Sequence, residues 1–215
     1  MKRTRSSRAT RYKILCVATL AAAAVAISGC GPLLAGSAAV VGQARITDQA
    51  LAAQVTAVTT NLKIAESPEV SVAILNRLVT QQLIFALADQ QRISLSQADV
   101  DAFVNQQAQL AGGRERFEAV LMQKGIPADQ IPAAARATLL VAQLGSRLAP
   151  GSDGEAQDSA TVAAVTKFSG EVGTRVSPRF GEWNGELLRI GPPPNDLSRP
   201  IRNVSINPLE GAQVQ

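Results

Sequence analysis

Between residues 46 and 148 the chain repeats apolar residues at the three-and-four spacing of amphipathic helices. Polar punctuation divides this block into five. Thr47 caps a first helix with Asp48 in its opening turn, and Leu51, Val55, Val58 and Leu62 follow on one face. Ser67-Pro68 supplies cap and first-turn proline for a second helix, running to about Gln91. Its apolar residues form two adjoining stripes, one of Val72, Leu75, Val79, Leu83 and Ala86, the other of Ile74, Leu78, Phe85 and Ala88. An arc that wide suits a central helix packed on more than one side. Ser96 to Asp99 has the form of a capping box, with Asp in place of Glu, ahead of Val100, Phe103 and Val104. Gly112-Gly113 ends that helix, and Phe117, Val120 and Leu121 mark a short fourth one. After a turn at Gly125-Ile126-Pro127, residues from about Asp129 to Leu148 present Leu140, Leu144 and Leu148 on one face. No heptad persists, so the pattern predicts a helical block rather than a rod.

On either side of the block the period changes. Residues 37–45 are small and β-branched, the composition of a short strand. Residues 149–160 are polar and read as a linker. Val162, Val165 and Phe168 then predict a helix face packed back on the block, with a second β-competent stretch after it. The two short stretches, near 39–43 and 173–177, are expected to pair and so join both ends in one fold. Residues 161–190 complete that fold. From residue 191 the Pro192-Pro193-Pro194 run and scattered polar residues predict a disordered or polyproline-like tail to residue 215.

The N-terminus follows a different logic. Lys2, Arg3, Arg5, Arg8, Arg11 and Lys13 precede an uncharged apolar run from Ile14 to Ile27. This is the pattern of a secretory signal peptide over residues 1–29, and the run is short of the roughly 20 residues a permanent span needs. Ile27-Ser28-Gly29-Cys30 resembles the bacterial lipobox, an apolar residue, two small ones and cysteine. That resemblance implies cleavage between Gly29 and Cys30 and acyl chains of the palmitate type on Cys30. Two or three such chains give stable anchoring where one holds only marginally. The expected location is the extracytoplasmic face of the cell membrane, with residues 30–36 as a membrane-proximal spacer.

This changes the reading of composition. The whole chain carries 21 basic and 17 acidic residues, but six of the basic ones lie in the leader. Fifteen remain against 17, a formal charge of −2, so the mature chain offers no basic footprint for nucleic acid. Cys16 leaves with the leader, so Cys30 has no cysteine partner within the mature chain. Histidine is absent, which removes Ser-His-Asp and Cys-His catalysis and imidazole metal ligands. Asp99, Asp101, Glu115 and Glu118 lie near helix starts and read as solvated caps rather than a catalytic carboxylate pair. No phosphate loop or dinucleotide fingerprint appears. The expectation is a non-enzyme with no catalytic residue, no metal and no cofactor.

A short strand, Ile46-Thr47, two helices with Gln82-Leu83-Ile84 in the second, and the segment from Arg92 to Asp101 (RISLSQADVD) follow one another in order. In that order they resemble the SurA-type N-terminal chaperone domain. Gly112-Gly113 to Phe117 is similar to the glycine pair before the next short helix of that family. Ser177-Pro178-Arg179-Phe180-Gly181-Glu182-Trp183 is similar to a closing segment of its lipoproteins, with Ser177 in place of the usual Asn. Val41-Gly42 also lacks the usual Asn before Gly. The resemblance implies a mostly α, compact helical domain over residues 37–148 with a short terminal strand pair. SurA and the foldase lipoprotein PrsA carry parvulin isomerase domains between these helices and the C-terminal piece. Here only the linker lies there, so chaperone-like holding of unfolded or secreted polypeptides is expected without isomerase activity.

Holding would need a partly exposed apolar groove, for which Phe85, Phe103 and Phe117 are candidate liners, each also able to be plain core. Trp183 reads either as a binding anchor or as a lid on the core, and Arg179 either as a client-carboxylate contact or as a structural hydrogen-bond donor. An adaptor for one dedicated envelope protein is the alternative function. A small-ligand or lipid carrier is a third, requiring an enclosed cavity.

Overall fold

A computed structural model describes residues 35–193. The chain clusters into two units, Met1–Gly31 and Pro32–Gln215, and every described residue belongs to the second. The expected leader, Gly29 and Cys30, most of the expected spacer and the tail from Pro194 lie outside the described residues.

Strand β1 (Ser37–Val41) is the middle of a three-stranded antiparallel sheet, flanked by β2 (Ala44–Thr47) and β3 (Arg175–Val176). Ala39 faces Val176 and Val40 faces Arg175, so the expected pairing of the terminal stretches is present. Residues 37–45 were expected as one strand, yet they bend into a hairpin at Gly42-Gln43. Gly42 has φ of 58°, the positive value a two-residue hairpin turn demands. A side chain there would also strike Val172. All five residues of β1 are buried. Ala35 and Gly36, assigned to the spacer, already belong to the fold: Arg45 donates to the Ala35 carbonyl and the Asp48 amide to that of Gly36.

Six helices follow: α1 (Asp48–Leu62), α2 (Pro68–Gln90), α3 (Gln97–Leu110), α4 (Arg114–Gln123), α5 (Ile131–Leu148) and α6 (Gly154–Val172). Their starts are set by local chemistry. Thr47 accepts from the Ala50 amide, Ser67 from that of Val70, and Ser96 with Asp99 completes a reciprocal capping box. Helix α6 begins earlier than the sequence suggested. Asp153 accepts from the Ala156 amide, so the polar stretch 149–160 is mostly helix and the connection shrinks to residues 149–153. That stretch carries few apolar residues because it is the exposed first turns of α6, not because it is unstructured.

Helix α2 is long and apolar enough to cross a membrane by composition. Its burial shows why: Ile74, Leu75, Leu78, Val79, Leu83, Leu87 and Ala88 all face protein. The main core gathers these with Leu51, Val55 and Val58 of α1, Leu140 and Leu144 of α5, and Val165 and Phe168 of α6. A smaller core joins Val100 and Val104 of α3 to Ile131 and Ala135 of α5. Three expected core positions face water instead. Val120 is 44% exposed, Leu148 40% and Val162 57%. On α6 the inward face is Thr161, Val165, Phe168 and Ser169, one residue out of phase with Val162. Leu148 is the final residue of α5.

After β3 a single 3-10 turn (Pro178–Phe180) leads to a hairpin of β4 (Glu182–Asn184) and β5 (Arg189–Gly191). The boundary at residue 191 therefore falls inside a strand rather than at the start of a tail.

Candidate functional site

The opening of α1, the opening of α2 and the Pro178–Phe180 turn converge on one side of the molecule. Between them lies a hollow of about 530 Å³ with Leu51, Val55 and Val72 on its walls, and Phe180 beside them. A second hollow of about 580 Å³ adjoins it, bounded by α2 and the β4–β5 hairpin. Pro68, Val72 and Phe180 line both, so the two make one open, two-lobed apolar groove. A hollow of about 590 Å³ also lies along α5, with Ile93 at its side. It is the shallow surface of essentially one helix and has no aromatic wall, whereas the two-lobed groove is bounded by three separate elements.

Each wall is held in place by contacts the sequence pattern did not reveal. Asn76 of α2 accepts from the Ile190 amide at 2.8 Å and donates to the Leu188 carbonyl at 3.4 Å. One side chain thus ties the β4–β5 hairpin to the central helix. Gly181 permits the approach of Phe180, because with φ of 121° its backbone runs against the Gly191 carbonyl where no side chain fits. Arg179 pairs with Asp48, and its guanidinium lies 4.5 Å from the centre of the Phe180 ring. This is a structural role, clamping the turn to the start of α1. Trp183 is partly buried on the main core and donates to Ser169 Oγ at 2.8 Å, which makes it a lid over α6.

The groove has an acidic rim. Glu66 is exposed in one lobe and Glu69 in the other. The Ser67 hydroxyl, followed by the backbone of Glu69 itself, holds the Glu69 carboxyl below its ordinary range, so it stays anionic. Arg189 also lines the second lobe, as do Pro192 and Pro193. Away from the groove, Arg77 donates to Gln54 at 2.5 Å and links α1 to α2; burial lowers its pKa, partly offset by Asp129.

The three candidate liners are elsewhere. Phe85 packs on the main core, and Phe103 and Phe117 together on the smaller one; all are partly buried and none lines the two-lobed groove. Phe180, which does, stands out locally only as part of the Ser177–Trp183 segment. The carboxylates expected as caps are caps or helix-surface groups: Asp99 is held below its ordinary range by the Ser96 hydroxyl and then the Ser96 amide, and Glu118 pairs with Arg114.

Neither a curated protein nor a solved structure matches the chain. A family pattern does, and it covers the segments on which the resemblance was drawn as far as the last turn of α5, leaving the Ser177–Trp183 segment beyond it. With residues 2–145 of its 215 matched, the chain belongs to the SurA-like N-terminal domain family, a chaperone-like family.

Proposed function

We infer that the protein is a lipid-anchored, extracytoplasmic chaperone-like lipoprotein that holds unfolded or translocating polypeptides reversibly and performs no chemistry on them. The observation that carries this reading is the two-lobed apolar groove, open to solvent and walled by Val72 and Phe180. Burying one Leu- or Val-sized client side chain there yields about 1.5–3 kcal/mol. Ordering each such side chain costs about 0.5–1.5 kcal/mol, before the loss of overall freedom. Two anchored side chains therefore contribute at most about 5 kcal/mol before that loss, which leaves a weak complex, millimolar or weaker. Weak and nonspecific binding is what a holder needs, since the client must be released to fold. The acidic rim adds a preference for segments carrying Lys or Arg near their apolar residues. Isomerase catalysis is not expected, because α5 and α6 are joined by residues 149–153 alone and the chain has no histidine. Anchoring rests on the leader pattern and Cys30.

The test uses the unit Pro32–Gln215, whose core closes within residues 37–191. It should slow aggregation of an unfolded client by light scattering. Ala52→Arg, an exposed substitution inside the groove, should weaken that protection. Leu110→Asp, at a site 76% exposed on α3, should not. Protection indifferent to Ala52→Arg refutes the groove reading. A single stoichiometric envelope partner, with no effect on general aggregation, would establish the adaptor instead. The slow prolyl phase of client refolding, tens to hundreds of seconds, should be unchanged. In the full chain, Cys30→Ser should abolish incorporation of a labelled fatty acid; equal label on both forms refutes anchoring at Cys30.

A further inference from the structure

Helix α4 is held less firmly than its neighbours. Each of the other five described helices carries buried residues, and α4 has none. Gly113 stands where a capping side chain would, so the first amides of α4 lack that bond. Glycines with positive φ bracket the helix: Gly112 at 86° and Gly113 at 121° before it, Gly125 at 73° after it. A Cβ at Gly113 or Gly125 would meet nothing within 4 Å. Packing therefore does not call for glycine at either position; the backbone conformation does. A hollow of about 370 Å³ lies against one side of α4, lined by Asn61 and Leu62 of α1 and by Ala119 and Met122 of α4. Few buried groups and open surroundings put a segment at the low-stability end of a fold. What α4 covers is apolar. Phe117 and Leu121, one helical turn apart, pack on the smaller core, as does Phe103 of α3. Val104 and Ile131 of that core belong to α3 and α5, which also contact each other directly, so its frame does not depend on α4.

We propose that α4 is a hinged lid, lifting as one unit on its flanking glycines to uncover a second, intermittent holding surface for an amphipathic helical stretch of client. The occupant is defined by the helix already seated there, which presents a Phe and a Leu four positions apart to the smaller core. A client segment with that spacing fills the place α4 vacates. The client role rests on the protein being a holder of unfolded polypeptides; the lid motion does not. The surface is available only in the open fraction, so a client's apparent affinity scales with that fraction. At rest α4 covers Phe103 and the smaller core, and the apolar surface meets solvent only during an opening. The hinges supply a handle on the equilibrium. Alanine at Gly125 disfavours the closed, positive-φ backbone by about 5- to 30-fold and touches nothing else.

Hydrogen exchange of the unit Pro32–Gln215, followed by NMR at low urea, reads the lid. Amides of α4 should exchange at least about a hundredfold faster than those of α2, with little dependence on urea. Gly125→Ala should speed α4 exchange by about 5- to 30-fold. A fluorescein-labelled peptide of residues 112–125, followed by anisotropy, should bind that variant more tightly by the same factor. Gly113→Ala, at the other hinge, should move both readouts in the same direction. Exchange of α4 at the α2 rate, with the same urea dependence, means that α4 leaves only on global unfolding and overturns the lid. Faster exchange without tighter peptide binding overturns the client surface. Peptide binding weakened by Ala52→Arg places the peptide in the two-lobed groove and overturns it as well. Peptide binding that ignores Ala52→Arg supports the second surface whatever that substitution does to client protection, so the groove reading and this one fail separately.

Discussion

Gly145 of α5 lies hard against Gln157 of α6, and replacing it tests whether that contact holds the two helices in register. A Cβ at this position would sit 2.9 Å from Gln157 Cβ and 3.1 Å from its carbonyl oxygen. These are atoms at or next to the backbone, so relief requires α6 itself to move rather than a side chain to turn. Helix α6 carries Val165 and Phe168 into the main core, and a shift would loosen them. Gly145→Ala gains about 1 kcal/mol of helix propensity and loses about 1–3 kcal/mol to overpacking. The net expectation is a loss of about 0–2 kcal/mol. Gly170, also within α6, is exposed and has nothing within 4 Å of where a Cβ would stand. Gly170→Ala should therefore keep the propensity gain whole, raising Tm by about 2–4 °C. Subtracting one from the other removes the propensity contribution and leaves the overpacking cost of the α5–α6 crossing. Urea denaturation of both variants, with equal m-values, measures it. If Gly145→Ala stabilises as much as Gly170→Ala, the close crossing does not exist and the account of why α6 completes the core is wrong.

Asn76→Ala should cost about 1–3 kcal/mol by orphaning the Ile190 amide, and should speed hydrogen exchange at Ile190 while leaving β1 unchanged; intact protection at Ile190 would show that the hairpin is held by other means. The Asp99 carboxyl lies below its ordinary 3.8 in the folded protein, so its capping stabilises α3 above that ordinary value and is lost as pH falls through the depressed one. Ser96→Ala should return the Asp99 titration, followed by NMR, towards 3.8 and accelerate exchange at the start of α3. A fragment of residues 37–149 loses β3 and α6, exposing an edge of β1 and the Leu140–Leu144 face. It should melt broadly and at lower temperature than the unit Pro32–Gln215; an identical cooperative transition would mean that the helical block folds without its C-terminal partner.

What was legible in the sequence was mostly what is decided within a few residues. Thr47, Ser67-Pro68 and the Ser96–Asp99 box place helix starts because a cap reaches only two or three residues ahead. The width of the apolar arc on α2 announced a helix covered on several sides, and the family was readable from motifs in a fixed order. Asp153 was equally local, yet the polar turns it opens were read as linker, because an exposed helix start and a loop share a composition. Tertiary structure decided the rest. Val162 and Thr161 differ by one step on α6, and which of them turns inward depends on where α5 lies. The groove draws its walls from residues 48–76 and 179–193, more than a hundred positions apart, joined by Asn76 and by the Asp48–Arg179 pair. Phe85, Phe103 and Phe117 advertise themselves by helical spacing, which is why they pack on cores. Phe180 has no such spacing, and it reaches the groove because a turn, a glycine without a side chain and a distant asparagine bring it there.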